Sequence, residues 1–375
     1  MDSSLPVFID LPEKDQAKEI RQYLNSAGAD LGDYSKENIH DELSSLLDAC
    51  DNWLKSASDA DLEAMMNSFI SLILFCANDA KLTKKFILKL TDIGASENNA
   101  LLRIKLLNNF FIGLPDNNPL RYDVYIGQLQ LSIKFGHTKM MTTQLKKVKE
   151  WLGVWNVELE EKRTCYRLLH AALKHEHRSD EATRVMLELL STYDEECASL
   201  AKDDAVECII DFISKPDVFI MDHLLQLKPV SALKGQLIHE LLTIFVSGQL
   251  TDYNTFCTNN PDFIEKSGLD HLANIEKMKI LTMISLANQE KEITYQKIIQ
   301  TLGLTEDNLE EFVIELVKSG LVHAKIDQIN ERIIIRSVGF RTFGKNEWES
   351  LQQKLQTWVT NLNVIKTNLE QVVQS

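Results

Sequence analysis

At 375 residues the chain is too long for one ordinary hydrophobic core and predicts two or three domains. An apolar share of 44% with 25% charged residues is that of a globular protein, and the scarcity of glycine (14) and proline (7) favours long helices over many short strands. A formal net charge of −15 repels polyphosphate, which weighs against non-specific nucleic-acid binding by the whole molecule while leaving a local basic patch open.

The first residues, with Asp2, Asp10 and Glu13 and no basic stretch, predict no signal peptide. From about Glu13 to Gln289 the pattern is helix after helix, each roughly 12 to 20 residues, with short connections. Gly28 ends the first helix, and Ser58 before Asp59, Asp61 and Glu63 forms an N-cap with an acidic first turn. Asn118-Pro119 opens a helix that Gly136 closes. Ser179 before Asp180 and Glu181 predicts another cap, and Pro216, Pro229 and Pro261 mark breaks. Broad stripes such as Leu237, Ile238, Leu241, Leu242, Phe245 and Val246 predict helices with neighbours on several sides, stacked as an α-solenoid. The longest apolar run, Phe69 to Ala77 interrupted by Ser71, is too short to span a bilayer. Six scattered cysteines, no C-x-x-C pair and no N-x-S/T sequon predict a reducing compartment, most simply the cytoplasm.

After Gln289 the composition changes. Ile293 to Gly303 predicts a short helix, and Thr305 caps a second one that ends at Gly320. Leu321–Ile326 and Arg332–Val338 form a β-hairpin across the polar stretch Asp327–Glu331. Helix, helix and hairpin make a winged helix. The strand Arg332–Val338, with Ile333, Ile334 and Ile335, is expected to offer a sheet edge to a neighbouring subunit. A long amphipathic helix follows. Its apolar seam of Trp348, Leu351, Leu355, Trp358, Leu362, Ile365, Leu369 and Val372 alternates steps of three and four, so it buries itself only against other helices.

Catalytic chemistry finds no set of residues. The second helix of the winged unit carries Glu306, Asp307, Glu310, Glu311 and Glu315 against Lys318, the wrong charge for the major groove of DNA. Gly339–Asn346 is one residue short of a P-loop, but Asn346 stands where a magnesium-binding Ser or Thr is needed and two phenylalanines crowd the loop. His175-Glu176-His177 resembles half of a zinc isopeptidase site, with Val185 where its Ser should be, and His239-Glu240 lacks a second histidine because Thr243 fills that place. With His170, these are expected at the surface or at helix ends. Lys134, Lys139, Lys146, Lys147 and Lys149 near Trp151 and Trp155 suit either RNA or, more simply, a solvated helix face over core tryptophans. No catalytic residue, cofactor or metal is expected.

Gly235–Leu242, the helices up to Gly320 and the wing Leu321–Gln328 together resemble a PCI domain, the module of helical repeats and winged helix shared by the proteasome lid, the signalosome and initiation factor three. Pro119–Tyr122, Asp222–Val230, Leu241–Ser247, Arg341–Lys345 and Val7–Asp10 are similar to the subunit-M family of eukaryotic translation initiation factor three. The resemblance implies an all-α solenoid over 1–289, a winged helix over 290–340 that joins helices from about 210 into the PCI module, and a bundle helix over 341–375. It implies a non-catalytic scaffold that supports preinitiation-complex assembly on the small ribosomal subunit. The implied partners are PCI and MPN subunits met at the winged-helix edge and in the terminal bundle, with the small ribosomal subunit and mRNA met indirectly and neither DNA nor membrane. A lid or signalosome scaffold, or a winged-helix nucleic-acid-binding protein, are the alternatives.

Overall fold

The computed structural model describes residues 12–29, 31, 38–76, 79–91, 99–138, 141, 143–342 and 344–374. Val7–Asp10, Lys139, most of the polar stretch 29–37 and Phe343 lie outside them. Two compact units, 1–192 and 193–375, divide the chain, a boundary inside the stretch expected to form one solenoid.

The first unit holds α1 (Glu13–Ser26), α2 (Ile39–Ser56), α3 (Asp59–Phe75), α4 (Ala80–Thr91), α5 (Ala100–Gly113), α6 (Leu120–Phe135), α7 (Leu145–Val154), α8 (Leu159–His175) and α9 (Ser179–Ser191). Ser58 Oγ accepts from the Asp61 amide at 3.3 Å, and Asn118 Oδ1 accepts from the Leu120 amide at 2.9 Å, so both expected starts form. Ser179 is instead the first helical residue, with Arg178 at the cap position and no side-chain cap there.

Stacking follows alternate helices. α3 packs on α1 and α5 on α3, while α4 packs on α2, α6 on α4 and α8 on α6. Phe111 of α5 meets Trp151 of α7 at 5.2 Å between ring centroids, which extends the odd layer. Two layers stacked in this way are those of a helical-repeat solenoid. α3 therefore has neighbours on several sides, and its Leu62, Met66, Phe69, Leu72 and Ile73 are all buried. Phe86 sits at the centre, 6.5 Å from Phe69 and 5.6 Å from Phe110. Gly127 permits the close approach of α6 to α4, since a Cβ there would lie 2.8 Å from Ile87 Cγ2.

The second unit runs α10 (Lys202–Ser214), α11 (Lys228–Ser231), α12 (Leu237–Ser247), α13 (Leu250–Asn259), α14 (Phe263–Lys266) and α15 (His271–Gln289) into the winged helix. There β1 (Glu292–Thr294) precedes α16 (Tyr295–Leu302) and α17 (Glu306–Lys318), which lead to β2 (Val322–Asp327) and β3 (Arg332–Val338). α18 (Lys345–Gln374) follows. Gly303 and Gly320, at φ +64° and +73°, supply the left-handed turns that end α16 and α17.

The antiparallel sheet has the order β1-β3-β2. β3 pairs through Ile334 with Glu292 on one side and Lys325 on the other, so it is the central strand and not an edge. Ile333 and Ile335 are buried beneath it and Ile334 is half-buried, which corrects the expectation that these residues sit on an open sheet edge. The physical reason is β1. Three residues, too few to show a period, cover the side of β3 that was expected to be open.

Buried cations carry much of the internal order. Six are buried among the described residues, and Arg21 is bidentate to the fully buried Glu42 at 2.7 Å. The other five each donate to the end carbonyls of a helix. Arg103 donates to Lys89 and Leu90 of α4 at 3.2 Å, Arg121 to Leu114 after α5 at 2.9 Å, and Arg163 to Thr192 after α9 at 2.9 Å. Lys277 Nζ donates to the carbonyls of Phe212, Ile213 and Lys215 at the end of α10, at 2.9, 3.0 and 2.6 Å. Arg341 does the same for α12. The last carbonyls of a helix have no partner within it and carry the negative end of its dipole, so a cation there satisfies both.

Burial pushes the Lys277 ammonium down to about 7, opposed by the attraction of Asp217. The folded value lies below the unfolded one, so between pH 7 and about 10 the unfolded chain binds the extra proton and stability rises with pH. The slope approaches about 1.4 kcal/mol per pH unit for one proton. The stability difference between the natural chain and Lys277→Met, measured by urea unfolding at pH 7, 8.5 and 9.5, is expected to move in favour of the natural chain. A difference constant with pH would show that Lys277 stays charged when folded.

Candidate assembly surfaces

α18 carries the seam on the outside. Every side chain from Leu351 to Thr367 is exposed, with Trp348 at 61%, Trp358 at 64% and Leu362 at 63% of full accessibility. Leu351, Leu355, Ile365 and Leu369 share that state, and the side chain of Val372 lies outside the described set. Val359, at 58%, widens the stripe beyond a two-helix seam. A soluble surface seldom leaves so long a row of large apolar side chains uncovered, and such a row marks a protein-interaction site.

The winged helix offers a second surface. Among the described residues β2 has a strand partner on one side only, with Ile326 exposed at 39% and Ile329 at 94% in the following turn. Beside it α17 turns Glu306, Asp307, Glu310, Glu311 and Glu315 to solvent, together with Ile314 at 52%. An acidic, partly apolar helix next to an unpaired strand suits a protein neighbour and repels a nucleic-acid backbone.

The loop that resembles a P-loop serves a different purpose. Arg341 is buried, and its guanidinium donates to the carbonyls of Ile244 (2.9 Å), Phe245 (2.7 Å) and Gly248 (2.7 Å) and to Ser285 Oγ (3.3 Å). Burial lowers its pKa to about 10, against the pull of Asp252, so it stays charged at neutral pH. The Gly344 amide is taken by Glu347 Oε2 at 2.9 Å, which sets a carboxylate where a phosphate would bind. Titration with ATP or GTP is therefore expected to show no binding, and Lys345→Ala to leave assembly unchanged. Binding that disappears in that variant would restore the nucleotide site.

The remaining candidates separate. His170 is buried within α8 and is not at the surface, whereas His175 and His177 are exposed, His177 at φ +58° just past the helix end. Trp155 is buried, stacks on Trp151 at 5.7 Å and donates its indole N–H to the Asp116 carbonyl at 3.0 Å. These rings are core and form no base-stacking platform. Lys149 pairs with Glu188 at 2.7 Å, and Lys146 and Lys147 are solvated. Burial pushes the Cys50, Cys165 and Cys208 thiols up to about 12, far from a thiolate nucleophile. No helix among the described residues is long and apolar enough to cross a membrane.

The PCI domain family matches residues 258–337, and the family described as eIF3 subunit M, C-terminal helix, matches residues 341–375. The eukaryotic translation initiation factor 3 subunit M of Nematostella vectensis is 43% identical over 376 residues, covering 100% of this chain and 99% of its own length. The chain belongs to the family of eukaryotic translation initiation factor 3 subunit M. Subunits M of Xenopus tropicalis and Homo sapiens are 42% and 41% identical, each over 98% of both chains. For a subunit M the C-terminal helix is thus a family feature, and it coincides with the exposed seam of α18. β1 and the Arg341 clamp escape sequence reasoning. A lone arginine between Phe340 and Phe343 was the available signal for the clamp.

Proposed function

We propose that the chain is a non-catalytic scaffold subunit of the eukaryotic translation initiation factor 3 complex and works in the cytoplasm, supporting preinitiation-complex assembly on the small ribosomal subunit. The exposed seam of α18 carries the reading, because it needs helices from other chains to cover it. PCI and MPN subunits supply those helices in a shared bundle. A neighbouring winged helix adds its strand to the open side of β2, in place of the β3 edge first expected. In this scheme the helices from about 210 onward and the winged helix act as the PCI module, and 341–375 as the bundle helix. The relatives' names and the matched C-terminal helix favour translation initiation over a lid or signalosome role, and acidic α17 disfavours direct DNA binding.

The test is recovery of the tagged full-length chain from eukaryotic cells, followed by native mass spectrometry and sedimentation. Co-purification with initiation factor 3 subunits and migration with the small ribosomal subunit are expected. Recovery with lid or signalosome subunits, or as a free monomer, would reject the assignment.

A further inference from the structure

The root of α18 borders a groove of about 760 Å³ within the second unit. Its lining mixes polar residues such as Ser247, Asn288 and Ser337 with the edges of buried Val246, Ala287 and Ile335, and exposed Phe340 stands at its side. Besides buried Arg341, three cations reach it from separate elements: Lys291 before β1, Arg336 on β3 and Lys354 on α18. All three are exposed, and none makes an ion pair among the described residues. The one carboxylate lining the groove, Glu347, is engaged by the Gly344 amide. In a chain of net charge −15, three cations without ion-pair partners against one carboxylate form a local reversal of sign.

We propose that this groove docks an acidic segment of a partner protein, a short stretch in which carboxylates flank an apolar residue. The carboxylates pair with Lys291, Arg336 and Lys354, and the apolar residue packs beside Phe340. Arg336 offers a planar fork that takes a carboxylate in bidentate fashion. The groove is continuous with the seam, since Glu347 and Lys354 line it from α18 itself. A partner helix lying on Trp348 and Leu351 therefore delivers the adjoining stretch of its own chain to this place. The inference rests on the reading of α18 as a helix that packs against partner subunits, and it adds the chemistry that partner must carry. An RNA strand would meet the same cations, but the apolar contact beside Phe340 favours a peptide that carries an apolar residue.

Fluorescence anisotropy with the full-length chain and a labelled decapeptide of glutamates broken by two leucines tests it. Saturable binding is expected, weakened roughly tenfold by Lys291→Glu with Arg336→Glu and about threefold by Lys354→Glu, as charge reversal turns attraction into repulsion. Lys146→Glu with Lys147→Glu makes the same change of net charge on the first unit and is expected to leave binding intact. Absence of saturable binding, or equal loss in the control pair, overturns the proposal. So does preferential binding of a uridine decanucleotide that depends on residues 291 and 336. Assembly is read separately by native mass spectrometry. A natural chain that binds the peptide but joins no complex overturns the assembly reading alone, whereas one that assembles without binding the peptide overturns the groove alone.

Discussion

A chain ending at Gly344 is expected to fold with nearly natural stability and to be absent from its complex. The cut removes only α18, whose side chains from Leu351 to Thr367 are all exposed, and it retains the Arg341 clamp. Full burial of one large apolar side chain stabilises by about 1.5–3 kcal/mol. The seven described seam residues are each left roughly half uncovered, so partner helices gain on the order of 1 kcal/mol at each by covering them. Trp358, with 64% of its surface exposed in mid-seam, is expected to be the strongest single anchor. Trp358→Ala is expected to cost about 2 kcal/mol of binding, or roughly thirtyfold in affinity. In the free chain the amides of α18 should exchange hydrogen far faster than those of α15, because an isolated helix of this length is marginal. Recovery of the shortened chain in the complex at natural levels, or equal protection of α18 and α15 in the free chain, removes the seam from the assembly.

Arg341→Met is expected to destabilise the second unit by about 3 kcal/mol in urea unfolding. The substitution keeps the apolar stem but strips the carbonyls of Ile244, Phe245 and Gly248 of a charged donor in a buried place. Arg341→Lys should lose about half as much, since one ammonium cannot span all three. The first unit, which contains no atom of this network, should melt as before. A loss under about 1 kcal/mol would mean that water reaches the end of α12 once the guanidinium is gone.

The sequence was most legible where one residue decides one local geometry. Ser58, Asn118 and Gly136 set helix ends at the expected places, and Gly303 and Gly320 closed theirs through left-handed φ. The terminal helix was equally plain, because a heptad repeats often enough to be counted. β1 was not, since three residues cannot display alternation, and the error passed directly to the role of Ile333–Ile335. That continuous run of isoleucines belongs to a strand flanked on both sides, a reading its lack of polar alternation already permitted. Buried Arg103, Arg121, Arg163 and Lys277 were invisible for a different reason. Each answers carbonyls brought near by tertiary packing, and no local pattern distinguishes them from surface cations. Of the candidate site, the α18 seam from Trp348 to Leu369 was readable, but the open β2 strand needed the sheet order.

The long reach of two of these caps bears on how the molecule is made. The carbonyls ending α10 wait for Lys277, 62 to 65 residues further on, and those ending α12 wait for Arg341, 93 to 97 residues further on. A ribosome adding residues in order thus exposes two frayed helix termini long before their counter-charges emerge. Closure comes only when residue 341 clears the exit tunnel, after the whole winged helix has been translated. The segment that sequence comparison marks off, 258–337, stops short of Arg341 and omits both helices that need capping. Excised by itself it would lack the cross-ties that lock its surroundings, so the recognisable module and the cooperative folding unit have different borders.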